Sequence, residues 1–189
     1  NGDVVSFYGR HIQMGTGGHF YMPGPKKGVF NRQQIKSEHS EKNITALIIT
    51  ESIIDALSFI EQGITNVVPI YGINGFTEEH EKLIQEIQPK EIVIALDGDE
   101  VGIKASEELE LQLKEKFNTT SNGVGFSFNC CNVLFPDKLD ADEYFKNHSK
   151  EDFYGMPGAN YSEGIRSSKS EPVVNSSDIN SSESQSLNL

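Results

Sequence analysis

From residue 46 onward, short apolar runs alternate with longer stretches in which apolar residues return every three or four positions. "ALIIT" (46–50), "NVVPI" (66–70) and "EIVIAL" (91–96) are too short for buried helices. Each therefore predicts a strand covered on both faces, and "GVGFSFNCCNVLF" (123–135) predicts a fourth. Between them, "SIIDALSFIEQG" (52–63), "TEEHEKLIQEIQP" (77–89) and "EVGIKASEELELQLKEKF" (100–117) carry helical periodicity. Gly63 stops the first helix, and Thr77 caps the second with His80 at the box position, which leaves the capping box incomplete. "DADEYFKNH" (140–148) predicts a short last helix with Asp140 as its cap. Such alternation with short connections demands crossover units. The fold class is α/β, a mainly parallel four-stranded sheet flanked by helices on both faces.

Ahead of this regular part the pattern changes. "VVSFYGRHI" (4–12) and "HFYMP" (19–23) flank the turn-rich "QMGTGG", which predicts a hairpin and hence an N-terminal β-rich extension. Residues 26–41 are polar and broken by Gly, and are read as loop. From residue 151 the chain is crowded with Ser and Asn and has no apolar period, so it cannot bury enough surface to offset its ordering entropy. The division expected is 1–41 as a β-hairpin with a basic loop, 42–150 as the folded α/β unit, and 151–189 as a disordered tail or linker.

The carboxylates fall into a pattern once the strands are placed. In an open α/β sheet, ligands bind at the carboxyl ends of the strands. Glu51 follows the strand 46–50, and Asp55 lies one helical turn later on the same face. Asp97 and Asp99 follow the strand 91–96, with Gly98 letting the backbone turn between them. Asp140 and Asp142 follow the last strand. Acids at that density repel one another and gain protons unless a cation sits among them. Mg²⁺, or Mn²⁺ in its place, takes oxygen ligands and removes the conflict. Glu107, Glu108 and Glu110, by contrast, read as the solvated face of a helix.

Composition changes the picture in two places. The net charge of −12 speaks against a nucleic-acid partner, but residues 1–36 carry Arg10, Lys26, Lys27, Arg32 and Lys36 against Asp3 alone. A basic segment of net +4 is thus attached to an acidic body. No apolar run reaches the ~18 residues of a membrane span, and no leader pattern opens the chain. Cys130 and Cys131 are neighbours on a strand, pointing to opposite faces, so they are poor disulfide partners. A reducing cytoplasm fits this usage. The chain opens on Asn1 in mid-pattern, as an excised piece of a longer protein would.

"ITESIIDAL" and "ALDGDEVGIKAS" together resemble the Toprim domain, with a Glu after one strand and Asp-x-Asp after a later one. "ESIID", "YGINGFT", "GDEVGIKAS" and "FPDKLDADEYF" resemble bacterial-type DNA primases most, and "VVSFYGRHI", "FYMPGP" and "VFN" resemble the strip leading from the primase polymerase subdomain into Toprim. Ser52, Val101 and Ala141 depart from the usual Gly, Ala and Pro, and the Asn-Ser-Pro stretch expected near Met22–Pro25 is missing. A primase of a phage, plasmid or other mobile element fits these departures.

The resemblance implies a Toprim-like fold and metal-dependent nucleotidyl transfer, making RNA primers on a single-stranded DNA template from ribonucleoside triphosphates. It implies Glu51, Asp97 and Asp99 as catalytic residues. Metal ligands would be Glu51, Asp97, Asp99, Asp140 and Asp142, with Asp55 in support. Arg10, Lys26, Lys27 and Lys104 are candidates for phosphate or template contact. A replicative helicase is an expected partner through parts outside this chain, and the isolated piece is expected to be incomplete as a polymerase. The alternatives are an OLD-type nuclease with the same metal site, a topoisomerase fragment, which would need a nucleophilic Tyr in a separate domain, and a non-enzymatic docking module. The full set of acids weighs against the last.

Overall fold

The computed structural model describes residues 4–12, 18–42, 45–118 and 126–159. Two short strands, β1 (Tyr8–Arg10) and β2 (His19–Tyr21), form an antiparallel ribbon in which Arg10 lies opposite His19 and Tyr8 opposite Tyr21. Helix α1 (Arg32–Lys42) follows, where the sequence predicts loop. Its apolar content is too low to show a period: Ile35 alone is a large apolar residue in it, and Ile35 is fully buried. Fixed contacts replace the missing stripe. Arg32 and Lys36 both reach Glu86, at 2.7 and 3.1 Å. Glu38 accepts from Thr65 at 2.8 Å and from Gln34 at 2.6 Å. The segment 29–38 therefore belongs to the α/β core, whereas the sequence division assigns it to the extension.

The central sheet contains β3 (Ala46–Thr50), β4 (Val67–Pro69), β5 (Glu91–Ala95) and β6 (Asn129–Asn132) in the order β4-β3-β5-β6, every pair parallel. The connections are α2 (Ile53–Glu61), α3 (Glu78–Ile87) and α4 (Glu100–Asn118). A fourth strand and the parallel topology agree with the sequence reading; of the run 123–135, residues 123–125 lie outside the described residues and β6 takes up 129–132.

Side-chain alternation sorts the two faces. Leu47, Ile49, Ile92 and Ile94 enter one core with Ile35, Leu83, Ile84, Leu109 and Leu113 from α1, α3 and α4. Ala46, Ile48, Val93 and Ala95 enter the other with Ala56 and Phe59 of α2. Both faces being covered, β3 and β5 are buried at every position. That is why the sequence shows continuous apolar runs there.

The second core also contains residues assigned by the sequence to the tail. After a 3₁₀ turn (Pro136–Lys138) come α5 (Ala141–Phe145) and α6 (Lys150–Tyr154). Phe153 is fully buried and meets Phe59 edge-on, with ring centroids 4.9 Å apart. Ala159 is buried as well. The folded unit thus runs past 150 to at least 159. A five-residue helix is too short to display a period, so its single buried aromatic gave no signal.

His80 closes the cap of α3 after all. The Thr77 N–H donates to His80 Nδ1 at 3.1 Å, and His80 Nε2 lies 3.0 Å from the Pro69 carbonyl oxygen. An acceptor Nδ1 and a donor Nε2–H describe a neutral imidazole, and burial lowers the pKa of His80. Histidine here replaces the usual Glu of a capping box.

Candidate active site at the acidic rim

Glu51 leaves β3 at its carboxyl end, and Asp97 stands two residues past β5, near enough for its backbone N–H to oppose the rise of the Glu51 pKa. Adjacent parallel strands in register, Thr50 beside Ala95, bring these two positions together. Residues separated by more than forty positions in sequence thereby become neighbours at one edge of the sheet.

Asp97 carries the charge conflict most heavily. Burial first, and then the charges of Glu51, Asp55, Asp140 and Asp99, together push its pKa up from 3.8 to about 8. Glu51 is raised by burial first, then by Asp55 and Asp99. Asp55 is almost fully buried and is also raised by burial, while bonds from Ser52 oppose the rise. Through these mutual repulsions Glu51, Asp55, Asp97, Asp99 and Asp140 share one electrostatic neighbourhood. Among the described residues, no group of three or more His, Cys, Asp or Glu side chains forms a ready-made cage for a metal ion. The acids face one another without closing a shell.

Local rules explain how each acid is held. Ser52 and Asp55 form a reciprocal capping box on α2: the Ser52 N–H donates to Asp55 Oδ2 at 2.9 Å, and the Asp55 N–H to Ser52 Oγ at 3.3 Å. Ser58 Oγ donates to Asp142 Oδ1 at 3.2 Å, tying α2 to α5. Asp99 caps α4, its Oδ1 accepting from the N–H groups of Val101 and Gly102 at 3.0 and 2.8 Å. Asp140 caps α5, accepting from the Glu143 N–H at 2.6 Å. Two acids of the rim therefore sit at helix N-termini, where the dipole favours negative charge.

Glycine is required between Asp97 and Asp99 for a specific reason. A Cβ on Gly98 would stand 2.4 Å from the Phe135 carbonyl oxygen, and the Gly98 N–H donates to the Leu139 carbonyl at 2.9 Å. The turn bearing the two acids is thus pressed against the segment leading to Asp140. Gly102 is similarly confined, because a Cβ there would meet the Asp97 carbonyl oxygen at 2.2 Å.

The remaining predicted residues divide. The Asp142 carboxylate is turned away to Ser58 Oγ at 3.2 Å and Lys146 Nζ at 2.9 Å. Lys104 is exposed and reaches Glu108 at 3.7 Å along the outer face of α4. Lys26 donates to the Tyr71 carbonyl and lies over the Tyr21 ring, 5.1 Å from its centroid, so it holds the loop after β4. Lys27 is exposed beside it. Arg10 meets His19 Nε2 at 2.8 Å.

Tyr8, His19 and Tyr21 were not singled out by sequence, yet they face the rim. The charge of Asp55 acts on both tyrosines, that of Glu51 on Tyr21, and that of Asp140 on His19. Alternation of polar-tipped residues in "FYGRH" and "HFY" was the available signal. Hard oxygen donors in mutual repulsion are the chemistry that Mg²⁺ satisfies, since it keeps several waters and needs only one or two carboxylates. The donor chemistry of these residues, though not a closed shell of them, suits such an ion. Among the described residues no helix is long and apolar enough to cross a membrane.

Comparison with known proteins bears on the family and the fold. A Toprim-like family model matches residues 48–145. A curated DNA primase of Enterococcus faecalis is 26% identical over 164 residues, which is 82% of this chain and 24% of that protein. The crystal structure of the Aquifex aeolicus primase zinc-binding and RNA polymerase domains matches with a TM-score of 0.58 at 24% identity, covering 87% of this chain and 37% of that one. The DnaG primase catalytic domain bound to single-stranded DNA matches with a TM-score of 0.61 at 19% identity, covering 82% and 49%. The chain thus spans about a quarter of the curated relative it matches. These comparisons give no support to an OLD-type nuclease. With the matched stretch covering just over half of its length and both acid-bearing strand ends inside it, this chain belongs to the Toprim-like family.

Proposed function

We propose that this chain is the Toprim part of a DNA primase and contributes the metal-holding rim for ribonucleotide transfer onto a growing RNA primer. The observation that carries the proposal is the Glu51–Asp97 junction with Asp140 beside it, in a chain alignable over most of its length with a DNA primase. Glu51, Asp97, Asp99 and Asp140 would supply oxygens to one or two Mg²⁺ or Mn²⁺ ions. Such ions, when bound, lower the pKa of an attacking 3′-hydroxyl and neutralise charge on the transferring phosphoryl group.

The chain's own residues do the rest. Glu51, raised by burial, is placed either to ligate or to accept the hydroxyl proton. Asp55 does not face open solvent; it caps α2 through Ser52, and the Ser58–Asp142 bond holds that helix to α5, next to Asp140. Arg10 on the hairpin supplies positive charge beside the rim, and Lys27 supplies it from the exposed surface. Single-stranded DNA is the template in this reading, and ribonucleoside triphosphates are the substrates. The division of labour is a hairpin extension for phosphate contact and an α/β unit for the metal.

Primer synthesis by a complete primase carrying this chain tests the proposal. RNA products should form on single-stranded DNA with Mg²⁺ and ribonucleotides, and Glu51→Gln should reduce them by at least ~100-fold, within the range expected for loss of a group acting in the transition state. Cleavage of DNA without nucleotides, or full synthesis by Glu51→Gln, overturns it.

A further inference from the structure

The hairpin presents two different faces to its surroundings. Tyr8 pairs with Tyr21 and Arg10 with His19, and alternation places these four side chains on one face, with Gly9 and Phe20 on the other. Phe20 is exposed. The four-residue face is the one that feels the rim: Asp55 acts on Tyr8 and Tyr21, and Asp140 on His19.

His19 is the hub of that face. Its Nδ1 lies 2.8 Å from the Tyr8 hydroxyl, and its Nε2 lies 2.8 Å from an Arg10 guanidinium nitrogen. A guanidinium only donates, so Nε2 must be the acceptor. In a neutral ring the remaining proton then sits on Nδ1 and points at the Tyr8 oxygen. The tautomer is set by its neighbours, and both ring nitrogens are used. The rings of Tyr8 and Tyr21, with centroids 5.2 Å apart, close the row from the side.

We propose that His19 is a positioning residue that fixes the Arg10 guanidinium and the Tyr8 hydroxyl toward the acidic rim, where Arg10 receives the phosphate groups of a nucleoside triphosphate. The inference rests on the primase reading and adds to it a specific holder for the phosphate contact. Arginine has five donors in a planar fork. Spending one on His19 orients the plane and leaves the others for phosphate oxygens. Without His19, Arg10 loses the hydrogen bond that sets the plane of its guanidinium, and more of its ordering must be supplied by the ligand at the moment of binding. The rim itself repels a triphosphate, so a fixed cation at its edge has the most effect where the acids are densest.

Binding of inorganic tripolyphosphate, in the presence of Mg²⁺, tests the proposal on the 189-residue chain by calorimetry. Arg10→Ala and His19→Ala should each weaken binding by about fivefold, the scale of one ordinary net hydrogen bond. The double variant should be little weaker than either, because both act through one guanidinium. His19→Gln retains an amide oxygen to accept from Arg10 and should recover most of the loss, which a purely structural role does not require. Long-range ¹H–¹⁵N spectra of the unsubstituted protein should show His19 in the Nδ1–H form. The proposal is overturned if His19→Ala binds normally, if His19→Gln is as weak as His19→Ala, if the Nε2–H form prevails, or if the unsubstituted chain does not bind tripolyphosphate. Mn²⁺ binding by the same proteins separates the two readings. Loss of the phosphate effect with intact, Asp97-dependent Mn²⁺ binding removes the role of His19 alone, whereas Mn²⁺ binding indifferent to Asp97→Asn removes the primase reading beneath it.

Discussion

Replacing Asp97 by Asn removes a charge while keeping the side chain's shape, and its effect on stability should reverse with the presence of metal. In the folded protein the Asp97 pKa lies at about 8, against 3.8 for the ordinary group, because burial and then the Glu51 charge disfavour ionisation. A folded-state pKa above the unfolded one means that the native state binds more protons between the two values. Stability is therefore fully present below about pH 4 and is lost as pH rises toward about 8. Full conversion of that difference is about 6 kcal/mol. Asp97 is only half-buried, and water screens much of the repulsion, leaving on the order of 2 kcal/mol. Asp97→Asn should then be more stable than the unsubstituted chain in EDTA at pH 8.5, by about 4–8 °C in Tm, with the gap narrowing toward pH 5. With Mn²⁺ at 100 times its Kd the unsubstituted chain should gain about 2.7 kcal/mol, and the variant much less. Thermal denaturation followed by circular dichroism, at pH 5 and 8.5 with and without Mn²⁺, reads all four corners. A variant less stable in EDTA at both pH values would refute the reasoning, because it would make Asp97 a net contributor of bonds rather than the focus of repulsion.

Gly98→Ala forces a methyl group to within 2.4 Å of the Phe135 carbonyl; we expect a loss of about 1–3 kcal/mol in urea denaturation and weaker Mn²⁺ binding, since the turn carries both Asp97 and Asp99. Phe153→Ala should cost about 3–5 kcal/mol, as for any fully buried Phe, whereas a residue in a disordered tail would cost nothing measurable. Asp142→Asn should leave Mn²⁺ affinity unchanged by calorimetry, because its carboxylate is engaged by Ser58 and Lys146, and loss of the exposed Lys146 pair should cost at most about 1 kcal/mol.

The sheet was legible because β3 and β5 are covered on both faces, which leaves unbroken apolar runs that no other element of that length produces. Glu51 and Asp97 were legible for a related reason: strand ends define the ligand edge of a parallel sheet, so an acid one or two residues past a strand has a known location. Helix α1 was not legible, since it is fixed by Ile35 and by ion pairs to Glu86 rather than by an apolar stripe. Nor was α6, whose one buried aromatic, Phe153, lies in a five-residue helix. Asp142 shows a subtler limit. Its spacing from Asp140 suggests a pair, yet α5 begins between them, so Asp140 stays outside as cap while Asp142 rotates toward α2. Spacing in sequence fixes proximity of backbones, and the first helical turn decides where each carboxylate points.

Paramagnetic broadening by substoichiometric Mn²⁺ in a ¹H–¹⁵N spectrum addresses the shared-cation account most directly. Broadening should begin together at the amides of Glu51, Asp97 to Asp99 and Asp140, three segments distant in sequence, and should disappear from all three in Asp97→Asn. Broadening that instead begins along the Glu-rich outer face of α4, or that reaches Asp99 while sparing Glu51, contradicts a common ion at the rim.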